Sequence, residues 1–289
     1  MGRFKDKRKL QLTLFIFVVF ISGWVGVFVD SLLKGQQKGN TLGMGLFLIL
    51  PFFTALLLRL ISNDWKDFGV RFYFRRNFKW YLLAFAIYPV VTTLTIGTAW
   101  LLGFVEFSHF EINTLISLMA VVVIGSFVKN IFEEFSWRGY LTPKLIEIRL
   151  NDWLIYLISG LVWALWHVPY YLVFLPDEVF GSLSRVGYIW TGCIIMVCWT
   201  VMYVEIYRLT KSVWLGVLMH AVEDALPTVL VTTNFIILKN PGDLLLNPTY
   251  GVITTILFLG IGLFLRTYRI KKERRGIYDT DFSILPKSM

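Results

Sequence analysis

Residues 114–141 read TLISLMAVVVIGSFVKNIFEEFSWRGYL. The stretch opens as a long apolar run and closes on three charges, Glu133, Glu134 and Arg138. A run of roughly 20 apolar residues crosses the hydrocarbon core as a helix, since a helix satisfies its own backbone groups there. With this span at about 114–135, seven more runs of the same kind lie at about 10–29, 43–61, 79–103, 153–175, 187–207, 212–233 and 249–267. The runs are continuously apolar rather than alternating, which excludes barrel strands. The fold class is all-α, a polytopic membrane protein of about eight transmembrane helices.

Composition agrees. The 289 residues are 56% hydrophobic and 16% charged, where soluble domains carry about 25% charged residues. The net charge of +9 is a topology signal. Of 28 Lys and Arg, 23 fall in five places: the N-terminal tail, the stretch Arg59–Lys79, the residues after span four, the turn between spans six and seven, and the C-terminal tail. The intervening connections hold only Lys34, Lys38, Arg185 and Lys239, and Lys129 falls inside a span. Excess Lys and Arg on alternate loops marks the cytoplasmic side, so both termini are expected there. The charge also favours contact with anionic membrane lipids and implies no nucleic-acid partner. In a prokaryote the location is the cell membrane. The first span lacks a small-residue cleavage site and reads as a retained anchor. WKDFGVRFYFRRNFKWYL, interleaving aromatic and basic residues, reads as an interfacial segment. The outer stretches FSHFEIN and LPDEVFGSLS read as acidic or polar caps. Cys193 and Cys198 share one span and read as small buried residues.

An ionisable side chain within a span costs about 2.5–3.5 kcal/mol even on translocon scales, so each one needs a reason. Those that stand out are Glu133, Glu134 and Arg138 at the inner end of span four, His167 in LVWALWHVPYY, Glu205, and His220, Glu223 and Asp224 in LMHAVEDAL. Glu134 and Arg138 are spaced i,i+4 and share a helical face, as do His220 and Asp224, so each pair can hold itself in orientation. Glu133 is rotated about 100° from Glu134 and stays free of the first pair. Two histidines and a free carboxylate in a dry site suffice to activate water. They also compose a His₂Glu zinc set of Glu133, His167 and His220, though no HExxH is present; the metal-free reading, with no cofactor, is preferred. Glu205 beside Arg208 reads as structural, and Glu223 has no assigned role.

EEFSWR fits EExxxR, WALWH is similar to FxxxH with Trp163 in place of Phe, and HAVED fits HxxxN/D. These three motifs, in this order on separate spans, resemble the CAAX protease and bacteriocin-processing family, also called the Abi or type II CAAX endopeptidase family. The resemblance covers about residues 110–235. It divides the chain into membrane helices with a basic interfacial loop (1–109), a catalytic core (110–235), and a last helix with a basic tail (236–289). The resemblance implies an intramembrane endopeptidase in which Glu133 and His167 activate water, His220 and Asp224 sit at the oxyanion position, and Glu134 with Arg138 supports the site. Asp224 stands where the motif often has Asn; an ionised carboxylate cannot donate to an oxyanion, so it must act protonated or orient a charged His220.

The expected substrate is a peptide or protein terminus presented at the membrane: a CAAX-type prenylated end, a leader-bearing peptide, or a bacteriocin- or pheromone-like peptide. The chamber is expected to open toward the cytoplasm. Two other classes remain open, a non-catalytic immunity or regulatory protein on the same scaffold and a proton-coupled transporter. The absence of repeated halves counts against the latter. At 1.5 Å per residue, His220 lies roughly 14 Å, Glu133 roughly 16 Å and His167 roughly 21 Å from the inner helix ends, so a shared site needs span five to tilt or start later.

Overall fold

The computed structural model describes residues 2–33, 35–36, 41–107, 111–176, 180 and 183–275. His109, parts of the two outer caps, Lys34, Lys38 and the tail from 276 lie outside the described residues. Among those described, eight helices are long and apolar enough to cross a membrane: α1 (Lys7–Leu32), α2 (Leu42–Ser62), α3 (Phe74–Leu101), α4 (Ile112–Glu147), α5 (Asp152–Phe174), α6 (Arg185–Thr210), α7 (Trp214–Thr232) and α8 (Val252–Arg274). The fold is therefore the expected all-α membrane bundle. An antiparallel strand pair, β1 (Val105–Phe107) with β2 (Ile236–Leu238), joins the ends of α3 and α7.

Helix starts are written locally. Thr41, Asn151 and Ser184 each accept a backbone N–H three residues on, at 3.1, 2.9 and 3.0 Å, satisfying donors left over at a helix start. Lys211, in the left-handed region at φ 56°, turns the chain from α6 into α7.

The largest departure is in α4, which runs to Glu147 instead of ending near residue 135. Its apolar first half faces outward, whereas residues 133–145 are all buried. The three charges are thus not an edge marker but lie in the protein interior. α6 and α7 form the most enclosed part of the bundle, and the packing around Arg138 supplies its floor.

Three segments wind more widely than an α-helix: Trp137–Leu141 in α4, Tyr170–Phe174 in α5 and Asp224–Thr228 in α7. Each adjoins one of the three motifs, and such π turns gather at functional sites. Pro227 lies within the third and Pro169 precedes the second, and neither has an N–H to close a regular turn. In the first, the carbonyl of Gly139 accepts from Nη2 of the fully buried Arg59 at 2.5 Å. Arg59 also binds Asp67 at 2.5 Å, fixing the basic loop beneath α4.

Candidate active site

The interior charges are arranged in two tiers. In the lower tier, Glu134 is fully buried and its Oε1 accepts from Arg138 Nη1 at 3.0 Å and from His220 Nδ1 at 3.1 Å. The Arg138 guanidinium also lies over the rings of Trp163 and Tyr203, 4.8 and 4.3 Å from their centroids. A desolvated cation is stabilised by both the carboxylate and the ring faces. Gly216 makes room for Glu134: a Cβ there would lie 2.7 Å from Oε2. The expected Glu134–Arg138 pair is present. His220, however, turns Nδ1 to Glu134 and not to Asp224.

The upper tier centres on Lys129. Its Nζ lies 3.3 Å from Glu133 Oε1 and 3.1 Å from Asp224 Oδ2. Asp224 Oδ2 further accepts from Asn130 Nδ2 at 2.9 Å. Asp224 is thus an acceptor of two donors, the arrangement of an ionised carboxylate, so a protonated Asp224 at the oxyanion position does not fit this geometry. Glu133 is 3% exposed, and its Oε2 has no hydrogen-bond partner among the described residues. A buried carboxylate oxygen with nothing to accept from is costly, and it is the atom best placed to hold a water. Lys129 was not among the residues assigned from sequence. The signal was available: it precedes Glu133 by four residues and so shares its face.

Both histidines are fixed in one tautomer. His167 Nδ1 lies 2.9 Å from the carbonyl of Trp163. A carbonyl only accepts, so Nδ1 carries the proton and Nε2 holds the free lone pair when the ring is neutral. His220, donating Nδ1–H to a carboxylate, has the same form. The His167 ring stacks on Tyr171, centroids 5.5 Å apart, and the His220 ring meets the edge of Trp163 at 5.4 Å.

Glu133, His167, His220, Asp224, Lys129 and Glu223 all line one cavity of about 330 Å³. The separate spans therefore bring together every catalytic residue expected from sequence, with Glu134 and Arg138 directly beneath. Glu223 faces the same space, accepting from the Thr228 hydroxyl at 2.9 Å. Glu205 belongs elsewhere, bound to Arg269 Nε at 2.6 Å and the Tyr156 hydroxyl at 2.5 Å. Among the described residues, those lining the cavity do not reach the helix ends that carry the basic loops. The cavity is lined at its far end by Met44, Leu175, Tyr188, Thr232 and Tyr250, which stand at the opposite helix ends.

For a metal, the potential ligand atoms within 4.8 Å of one another belong to His220, Glu223 and Asp224, not to the expected set of Glu133, His167 and His220. The Lys129 ammonium already neutralises Asp224 at that point, so a divalent cation there would meet a like charge. The donor set fits a metal poorly.

No curated protein matches the chain. Residues 113–226 match the family described as Type II CAAX prenyl endopeptidase Rce1-like, a family of proteases. The matched residues begin at α4, end within the Asp224–Thr228 turn, and contain all three motifs and both tiers of charge. Over residues 113–226, motifs and match together make this chain similar to the Rce1-like type II CAAX prenyl endopeptidase family.

Proposed function

We propose that the protein is an intramembrane endopeptidase that hydrolyses a peptide bond near a membrane-presented terminus, using a water activated without metal. The observation that carries this is the grouping of Glu133, with an unpartnered oxygen, and two tautomer-fixed histidines around one cavity.

Glu133 takes a proton from water as the water oxygen bonds to the peptide carbonyl carbon. The carbonyl π bond opens to an oxyanion, and collapse of that intermediate breaks the C–N bond. The amine leaves with the proton held by Glu133, and the products are a carboxylate and an amine. His167, through Nε2, orients the water. The oxyanion needs donors, and preorganised donors in a dry site contribute the largest share of such catalysis. Asp224 cannot supply one, so the Lys129 ammonium takes that part, steadied by Asp224 and Glu133 on either side. His220 lines the same floor, with Glu134 and Arg138 holding its ring.

The test is cleavage of a fluorogenic peptide by purified protein in nanodiscs, comparing wild type with Glu133→Gln at equal amounts. Loss of the general base removes about 10²–10⁴-fold of the rate. A Glu133→Gln protein as active as wild type sinks the mechanism, and one that retains its biological effect without cleavage points to the non-catalytic class.

A further inference from the structure

We infer, on the basis of the peptidase reading above, that Asn130 is a positioning residue of the catalytic floor. Its side-chain amide fixes the Asp224 carboxylate against the Lys129 ammonium, and so holds the oxyanion donor in place.

Asn130 lies on α4, three residues before Glu133, and is fully buried. An amide inside a membrane span needs a hydrogen-bond partner, because hydrocarbon offers none. Its Nδ2 donates to Asp224 Oδ2 at 2.9 Å. The Lys129 ammonium reaches the same oxygen at 3.1 Å. Consecutive residues of a helix point about 100° apart, so two side chains of α4 converge on one oxygen of α7 from different directions.

The orientation of the amide follows from its partner. An ionised carboxylate only accepts, so a reversed amide would set its own oxygen against Oδ2 with no proton between them. Oδ1 of Asn130 therefore faces away from Asp224, and it has no hydrogen-bond partner among the described residues. A buried acceptor left without a donor is destabilising, and an aliphatic side chain at 130 would avoid that cost. What the amide gives in return is control of Asp224.

That control matters because packing does not hold Lys129. Its side chain is 39% exposed, and a flexible four-carbon stem lets the ammonium move. Glu133, at 3.3 Å, is on the same helix and moves with it. Among the described residues, Asp224 is the ion-pair partner that ties the ammonium to α7, one turn after His220. The end of an aspartate side chain turns readily about χ2, so the amide decides which oxygen meets Lys129. The motif often carries Asn at position 224, where this chain has an acid. The chain keeps an amide at this point of the floor, but brings it from α4 and not from α7.

The experiment uses the full chain in nanodiscs. Asn130→Ala is expected to lower kcat by about 10–100-fold, since a 1 Å misplacement costs about 100-fold. KM should not change, because Asn130 does not line the cavity. Asn130→Asp and Asp224→Asn each break the pair, and the double variant rebuilds it with its ends exchanged. Independent losses would multiply, whereas the double variant is expected to cleave faster than either single one. Thermal unfolding is measured on every variant, and rates are compared where all are folded. Asn130→Ala at the wild-type kcat, or a double variant that fails to exceed both single ones, overturns the inference and leaves Asn130 as interhelical packing. A second readout needs no activity. Acetylation of Lys129 by a small amine-reactive reagent, followed by mass spectrometry, is expected to be several-fold faster in Asn130→Ala than in wild type and to slow again in the double variant. An unchanged rate overturns the inference. Wild type that cleaves no peptide, with labelling as expected, instead overturns the peptidase reading and leaves the hold on Lys129 standing.

Discussion

Gly216→Ala separates the support of the site from the stability of the fold. The new Cβ would stand 2.7 Å from Glu134 Oε2, and ordinary contact begins at 3.4 Å, so the carboxylate must withdraw by about 0.7 Å. It cannot do so freely, because Arg138 and His220 hold Oε1 at 3.0 and 3.1 Å. Overpacking of this kind costs about 1–3 kcal/mol, while Ala in place of Gly in a helix interior returns about 1 kcal/mol. The net loss of roughly 0–2 kcal/mol is small against the 5–15 kcal/mol of a typical domain. Function has no such offset. Displacement of the His220 ring by a fraction of an ångström is expected to lower kcat by about 10–100-fold, since a 1 Å misplacement costs about 100-fold. The control is Gly125→Ala in α4, where a Cβ meets nothing within 4 Å; it should keep full activity. Peptide cleavage and thermal unfolding in detergent are measured on both. If Gly216→Ala cleaves like Gly125→Ala, the position of Glu134 does not govern the site and the lower tier is only packing.

Further expectations concern charge. Lys129→Gln should lower kcat by about 10²–10³-fold with little change in KM, the loss expected of an oxyanion donor, and Lys129→Arg should recover part of it; a Gln variant at wild-type rate removes Lys129 from the chemistry. Cleavage should be unchanged by a chelator such as EDTA, and loss of activity that zinc restores would refute the metal-free mechanism. Asp64, in the loop after α2, reports on pH. Burial raises its carboxyl, but the Lys144 hydrogen bond and the charges of Lys144, Arg59 and Lys66 outweigh this and hold it below its ordinary value. A lowered folded-state pKa gives stability that is present above the unfolded value, about 3.9, and is lost as pH falls through the folded value. Asp64→Asn should therefore unfold at a lower temperature than wild type near neutral pH, with the gap closing in acid; a gap that does not depend on pH would refute the ion-pair origin.

The membrane spans were legible because the bilayer imposes a length and polarity that a single sequence displays directly. The motif residues were legible because each is an ionisable group where hydrocarbon excludes one. What hid was whatever depends on a second helix. His220 and Asp224 share a face by spacing, yet His220 bonds Glu134 across the bundle, since α4 runs on past residue 135 and carries Glu134 into the interior. The π turns that set this geometry arise from local winding and from prolines whose effect depends on the surrounding packing. Lys129 was visible as a charge within a span, but its importance shows only when Asp224, 95 residues later, is found on its other side.

The same reasoning applies to the depth of the charged stretch. EEFSWR reads as the inner end of a span drawn to residue 135, although a helix carried on to about Lys144 already sets Glu133 roughly 16 Å in. In the fold, α4 continues through Glu147, so the charged stretch has a closed layer of Trp137, Tyr140 and Trp163 between it and the basic loops. Arg138 belongs to that layer, over two aromatic rings and bonded to Glu134. A buried guanidinium paired this way is expensive to uncover, and that cost keeps the layer beneath the cavity packed. The residue that reads as a boundary charge is therefore part of the packed layer beneath the cavity that Glu133 lines.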